Sequence, residues 1–299
     1  MIAEKNQTET RTLLSDRNIT RMKSLGVNLI LIIGAVIMLT PLLWMLATAL
    51  SPNTKIPPTS LLPHDITLEN FKEAWNFPKA FSPDPDHPIT MGTFFMNSVI
   101  CTVCITVLGI IVDSLAAYVL AFKDFPGKRL FIFLALATMM IPFYVTLVPE
   151  YLIVRKLGWM NTYKAMIVPF LASGMGISLF RSHFLSIAKE LEECAKLDGA
   201  SDFRVYLTIV MPISKPIIGT MAILKAMWSW NQYMWPLIVC TDATMKPIQV
   251  ALNMFRGLNL TEWGYLCAGM TMAILPLVIV FLCAQKQFIG GLQAGAVKG

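Results

Sequence analysis

Charge is what this sequence has least of. Only 14% of its 299 residues are Asp, Glu, Lys or Arg, against roughly 25% in a soluble domain. With 56% hydrophobic residues and a mean hydropathy of +0.62, that scarcity excludes a water-exposed globule and makes lipid the solvent. Histidine is scarcer still. His64, His87 and His183 stand apart from any matching nucleophile or ligand set, which argues against a membrane enzyme and against a metal site. Six cysteines (Cys101, Cys104, Cys194, Cys240, Cys267 and Cys283) form no disulfide framework, and the Cys101/Cys104 pair reads as small packing residues inside an apolar run. A phosphate-binding G-x-x-x-x-G-K-[ST] is missing too: Gly127-Lys128 is followed by Arg129 and lacks the upstream glycine. The 299 residues are therefore expected to hold no nucleotide-binding domain, and no internal repeat of the kind expected of ion-driven secondary transporters is visible.

What is abundant is apolar chain. Six runs reach the roughly 20 residues that a hydrocarbon core requires: Leu25–Leu50, Phe94–Phe122, Leu130–Ile153, Ala165–Ile187, Pro216–Val239 and Trp263–Ala284. The expectation is an all-α integral membrane protein with six spans. Asp113, Glu150, Arg181 and Lys225 are the charges within them. With the N-terminus inside, the connections on that side carry fifteen Lys and Arg against eight on the other, so both termini are expected in the cytoplasm. The net charge of +6 flanks membrane spans instead of forming one patch, which excludes nucleic acid as a partner and leaves lipid. The apolar run before Ala47–Ala49 is too long for a cleavable signal, so it reads as a retained first span.

Between the spans, Met1–Ser24 has no apolar periodicity and reads as a disordered or surface-lying tail. The proline-rich stretch Ser51–Thr93 excludes regular helix except over Ile66–Trp75, where Thr67 is a candidate N-cap for a short helix lying on the outer membrane surface. Pro126 and Gly127 form a tight turn that predicts spans two and three as antiparallel neighbours.

The most informative stretch is "KELEECAKLDGASDFRVYLTIVMPISKP", Lys189–Pro216. Ala188, Leu191, Cys194/Ala195 and Leu197 recur at helical spacing, opposite Lys189, Glu190, Glu192, Glu193 and Lys196. Gly199 suits a left-handed helix terminus. Ser201 or Asp202 can cap a second short helix, over about Phe203–Val210, that Pro212 stops. The product is a helix, a turn and a helix outside the membrane. Taken alone it is unspecific, because two short helices can simply lie on their own membrane domain.

Glu193-Cys194-Ala195, then Gly199, Ile209 and Met211-Pro212 resemble the EAA loop of ABC-importer permeases, with Cys194 and Met211 departing from alanine and leucine. "LAAYVLAF" at Leu115–Phe122, "WNQYMWPL" at Trp230–Leu237 and "GLQAGAVKG" at Gly291–Gly299 extend the likeness to the carbohydrate-uptake branch, of the maltose-type second-permease kind. The resemblance implies the type I importer permease fold: an N-terminal tail over 1–24, a six-helix domain over 25–289 with the cytoplasmic EAA loop at 188–215, and a C-terminal tail over 290–299. It implies a multi-pass permease of the bacterial or archaeal cytoplasmic membrane that moves a sugar or oligosaccharide, or alternatively a polyol phosphate such as glycerol phosphate. The partners it implies are a second permease subunit, a homodimeric or heterodimeric cytoplasmic ATPase that uses ATP and Mg, and an extracytoplasmic solute-binding protein. The chain itself would bind no cofactor and catalyse nothing. Glu193, Ala195, Asp198, Gly199, Ile209 and Pro212 would then engage the ATPase, and Gly295, Lys298 and Gly299 would reach its dimer interface.

Buried charge and amides mark a candidate path. Asp113 and Lys225 each lie ten residues from a basic residue at the inner membrane edge, Lys123 and Lys215, and hence roughly 15 Å deep. They can pair or share a wet cavity. Alternatively, Lys225 snorkels to the surface and Asp113 bonds locally. Trp228, Asn231, Gln232 and Tyr233 suit a sugar's C–H faces and hydroxyls, and equally suit an interfacial aromatic belt with helix-to-helix amide contacts.

Overall fold

The computed structural model describes side chains for residues 24–52, 63, 65–86, 88–256 and 261–282, and the backbone also for 2–23 and 283–296. Among the described residues the protein is all helix, with no strand. Helix α1 spans Ile2–Leu50, so the segment expected to be an irregular tail is helical from Ile2. No proline or glycine interrupts the chain before Gly26, and Glu, Lys, Gln, Arg and Leu favour helix. From Leu25 to Leu43 nearly every apolar side chain of α1 is exposed, an arrangement suited to hydrocarbon and not to water.

Helix α2 (Glu69–Asn76) starts after Leu68, not after Thr67. The Thr67 hydroxyl instead accepts from the Glu69 N–H at 3.1 Å. Rather than merely resting on a surface, α2 is stitched to the bundle: buried Asn70 donates to the carbonyls of Ala49 and Ser51 at 2.9 and 2.6 Å, satisfying two groups at the C-terminal end of α1.

Helix α3 (Met91–Phe122) is the central element, 32 residues long. It packs on α7 (Gly174–Phe184) and α11 (Lys215–Trp230), while α1, α14 (Trp263–Ala296) and α11 form a contiguous layer beside it. The third run is not one helix. α4 (Lys128–Met140) and α5 (Phe143–Lys156) meet at 105°, because Pro142 forces Ile141 into an extended conformation. Its first half, α4, packs on α7 and faces α3 across an apolar groove lined by Ala116, Leu120, Phe131 and Leu134. The fourth run is likewise bent, by 42°, between α6 (Tyr163–Ile167) with its following turn to Phe170 and α7 (Gly174–Phe184).

Helix α8 (Lys189–Leu197) and α9 (Asp202–Val205) form the loop. Pro212 does not end the second helix. A π-turn over Tyr206–Val210 leads into α10 (Met211–Ile213) with Pro212 inside it, since widening the preceding turn accommodates the ring and the missing N–H. The chain then turns by 82° into α11 (Lys215–Trp230). That helix breaks at Asn231 before α12 (Met234–Val239). After α13 (Ile248–Ala251), α14 (Trp263–Ala296) closes the bundle. Among the described residues three helices are long and apolar enough to cross a membrane unaided, and up to six spans result if each bent pair counts as one.

Candidate functional site

The bend before α7 leaves backbone groups without helical partners, and Asp113 of α3 takes them up. Its Oδ1 accepts from the Ser173 N–H at 2.8 Å, and its Oδ2 accepts from the Ser173 hydroxyl at 2.8 Å. Ser173 in turn N-caps α7, its Oγ accepting from the Gly176 N–H at 3.0 Å. Lys225 Nζ of α11 lies 2.9 Å from Asp113 Oδ2 and 3.5 Å from Ser173 Oγ. Asp113 is fully buried and Lys225 almost so. The ammonium does not snorkel away, and the carboxylate meets both the loop and the lysine. Two glycines create the room. A Cβ at Gly176 would stand 1.9 Å from Asp113 Oδ2, and one at Gly109 would stand 2.8 Å from Lys225 Nζ and 3.1 Å from the Leu171 carbonyl. Both glycines escaped notice in the sequence, although Gly109 lies one helical turn before Asp113 and so on its face.

Beside the pair opens a cavity of about 450 Å³ whose wall includes Phe170, Ser173, Met175, Lys225 and Trp228. Trp228 is 45% exposed and stands edge to face with Phe170, their centroids 5.0 Å apart. The other tryptophans of this segment are structural: Trp230 donates to the Ala273 carbonyl and Trp235 to that of Ala165, both buried. Asn231 ends α11 by donating to the Met227 carbonyl at 2.8 Å. Tyr233 accepts from Asn253 at 2.5 Å. Gln232 borders a separate crevice of only about 20 Å³. The structure thus brings together Asp113, Lys225 and Trp228, and sets Asn231, Gln232 and Tyr233 apart from them.

In the loop, α8 turns its faces opposite to a core-packed amphipathic helix. Leu191 and Leu197 are exposed, the latter at 88%, while Glu192 is buried. Glu192 Oε1 lies 2.6 Å from Lys123 Nζ and 2.7 Å from Lys196 Nζ, and Lys123 also reaches Asp202 at 2.5 Å. Burial alone would lower the Lys123 pKa, but the hydrogen bonds it donates to Asp202 and Glu192 outweigh that and hold it above its ordinary range. Burial alone would raise the Glu192 pKa, yet the two lysines bring it below its ordinary value of 4.5. Ser114 Oγ and Tyr206 OH add a second tie between α3 and the loop at 2.8 Å. The sequence contained a signal for the Glu192–Lys196 pair, at i,i+4, but none for Lys123, 69 residues away.

Glu193 and Asp198 are exposed, Ala195 and Ile209 are half-buried against the core that the loop shares with α3, α7 and α11, and Pro212 is exposed. Gly199 has φ +79°, and the Ala200 N–H reaches the Ala195 carbonyl at 2.9 Å, a left-handed helix terminus that favours glycine. Ser201 caps α9 by accepting from the Arg204 N–H. Gly295 falls at the end of α14, with its surroundings outside the described residues, as are Lys298 and Gly299 altogether.

Residues 106–290 match the family model described as the binding-protein-dependent transport system inner membrane component. The chain is 40% identical to the probable ABC transporter permease protein YurM of Bacillus subtilis, over 87% of this chain and 83% of that one. It is 33% identical to the arabinooligosaccharides transport system permease protein AraQ of Halalkalibacterium halodurans, covering 89% and 93%. Among solved structures, a bacterial ABC transporter involved in import of the acidic polysaccharide alginate superposes with a TM-score of 0.77 at 25% identity, covering 89% of this chain and 96% of that one.

Proposed function

The chain belongs to the family of binding-protein-dependent transport system inner membrane components, and from that premise we propose that it is the permease subunit of an importer for a sugar or oligosaccharide, driven by a separate ATPase. The loop carries this reading. Its α8 exposes Leu191, Cys194 and Leu197 while Glu192 is spent on Lys123 at the end of α3, so an apolar stripe and the Gly199 turn remain for a groove on another protein. Glu193 and Asp198, exposed beside that stripe, would make the polar contacts there, and Ile209 and Pro212 would hold the following helix in register.

On this reading the loop and both termini are cytoplasmic, and ATP and Mg are bound by the partner. Closure of the ATPase dimer on ATP supplies the differential binding energy that moves the spans. A second permease subunit completes the path, an extracytoplasmic binding protein delivers the solute, and Gly295, Lys298 and Gly299 reach toward the ATPase. The saccharide assignment is supported by the relative that serves arabinooligosaccharides and by the importer of a polysaccharide.

The test is uptake by vesicles holding the assembled complex. Uptake is expected to require internal ATP and to fall at least ten-fold in Gly199→Val, because a β-branched residue resists φ > 0. Uptake that follows an ion gradient without ATP would overturn the reading.

A further inference from the structure

We propose that the cavity beside Lys225 binds an uncharged saccharide unit, and that Asp113 makes it selective against anionic sugars by neutralising the cation on its wall. The proposal rests on the permease reading and narrows the cargo within it. Lys225 is the one ionisable side chain among the described residues that line the cavity. Left alone, a lysine there would attract carboxylates and phosphates. It is not alone, because Asp113 Oδ2 lies 2.9 Å behind it.

The hydrogen-bonding capacity of the cluster says what remains for an occupant. Ser173 Oγ donates to Asp113 and accepts from the Gly176 N–H and Lys225 Nζ, which uses all that a hydroxyl offers. Lys225 has three N–H groups, and Asp113 and Ser173 take two. One donor is left. It can bond a sugar hydroxyl at no cost in net charge. An anion on the same donor would sit about twice as far from the Asp113 carboxylate as from the ammonium, which cancels about half of its attraction, while its hydration is lost in full. Three residues beyond the lysine on α11 and lining the same cavity, half-exposed Trp228, held against Phe170, offers an apolar ring that a pyranose or furanose C–H surface covers. Aromatic face, one directed donor and zero net charge are the chemistry of a neutral oligosaccharide.

The test uses the purified assembled complex with a Met175→Cys reporter on the cavity wall, its alkylation by N-ethylmaleimide followed by peptide mass spectrometry. Ala172→Cys is a second reporter should the first not assemble. Arabinotriose, maltotriose and raffinose are the uncharged probes, and trigalacturonate is the anionic one. At least one uncharged trisaccharide is expected to slow alkylation ten-fold or more, and trigalacturonate less than two-fold. Protection by the uncharged sugar should be lost in Trp228→Ala, and protection by trigalacturonate should appear in Asp113→Asn. Equal protection of the unaltered pair by the anion would overturn the proposal, as would no protection by any uncharged sugar. ATP-dependent uptake by the same complex stays a separate readout, so a dry cavity in a working importer refutes this site and leaves the permease reading standing.

Discussion

At the scale of residues, the Asp113–Lys225 pair is held by geometry more than by charge. Removing one partner from a buried pair costs about 3–5 kcal/mol, because the other is left uncompensated, whereas replacing both by apolar groups is often nearly neutral. The expected order of thermal stability, measured on the detergent-solubilised complex, is therefore Asp113→Leu and Lys225→Met each well below the double substitution. Additive losses would show that the two charges do not compensate each other. Gly176→Ala makes a sharper case. Its new methyl would need the space of Asp113 Oδ2, so the carboxylate must leave the Ser173 N–H that it satisfies. Uptake should fall at least ten-fold in Gly176→Ala, while Gly26→Ala, with open space around it, should leave uptake unchanged.

At the scale of elements, Lys123 joins the end of α3 to both helices of the loop, and the same α3 holds α7 and α11 through Asp113. On the proposed function, motion imposed on α8 would thereby be passed to the cavity wall through one continuous helix. Lys123→Met should weaken this link and give ATP hydrolysis that persists while uptake per ATP falls several-fold. The deficit should not vary between about pH 6 and 9. Glu192 is depressed, so its contribution is present above its ordinary 4.5 and fades only as pH drops through its folded value; Lys123 is raised, so its contribution is complete below its ordinary 10.5 and fades only as pH climbs through its folded value. A deficit that disappeared at pH 9 would contradict this assignment. Such a link was not legible in the sequence. Six apolar runs and the Gly199 turn were, because hydrophobic length and a left-handed terminus are local properties. The break at Pro142 was legible as a proline kink for the same reason, but the bend at Ser173 and the pairing of Lys123 with Glu192 were not, since each depends on a partner many residues away. Pro212 misled for a related reason: a ring that ends an ideal helix is tolerated once the preceding turn widens into a π-turn.

At the scale of the whole molecule, the two ends of the bundle differ in what they leave uncovered. One end is closed by α2 and α13, which bury Ala74, Ile248 and Leu252 with Met91, Phe94 and Trp230. The other carries α8, whose leucines stand free. In a chain surrounded by lipid, a free apolar stripe on an extramembrane loop needs a protein to cover it, and native Cys194 sits within that stripe, exposed. It can therefore report docking without substitution. A membrane-impermeant maleimide should label Cys194 rapidly in the subunit freed of its ATPase, and at least ten-fold more slowly in the complex. In sealed vesicles it should label only from the cytoplasmic side, fixing the orientation that the distribution of lysine and arginine implies. Buried Cys101, Cys240 and Cys267 should stay unlabelled in both states and act as internal controls. Equal labelling of Cys194 with and without the ATPase would place the docking surface elsewhere on the loop and remove the main support for α8 as the element that receives its work.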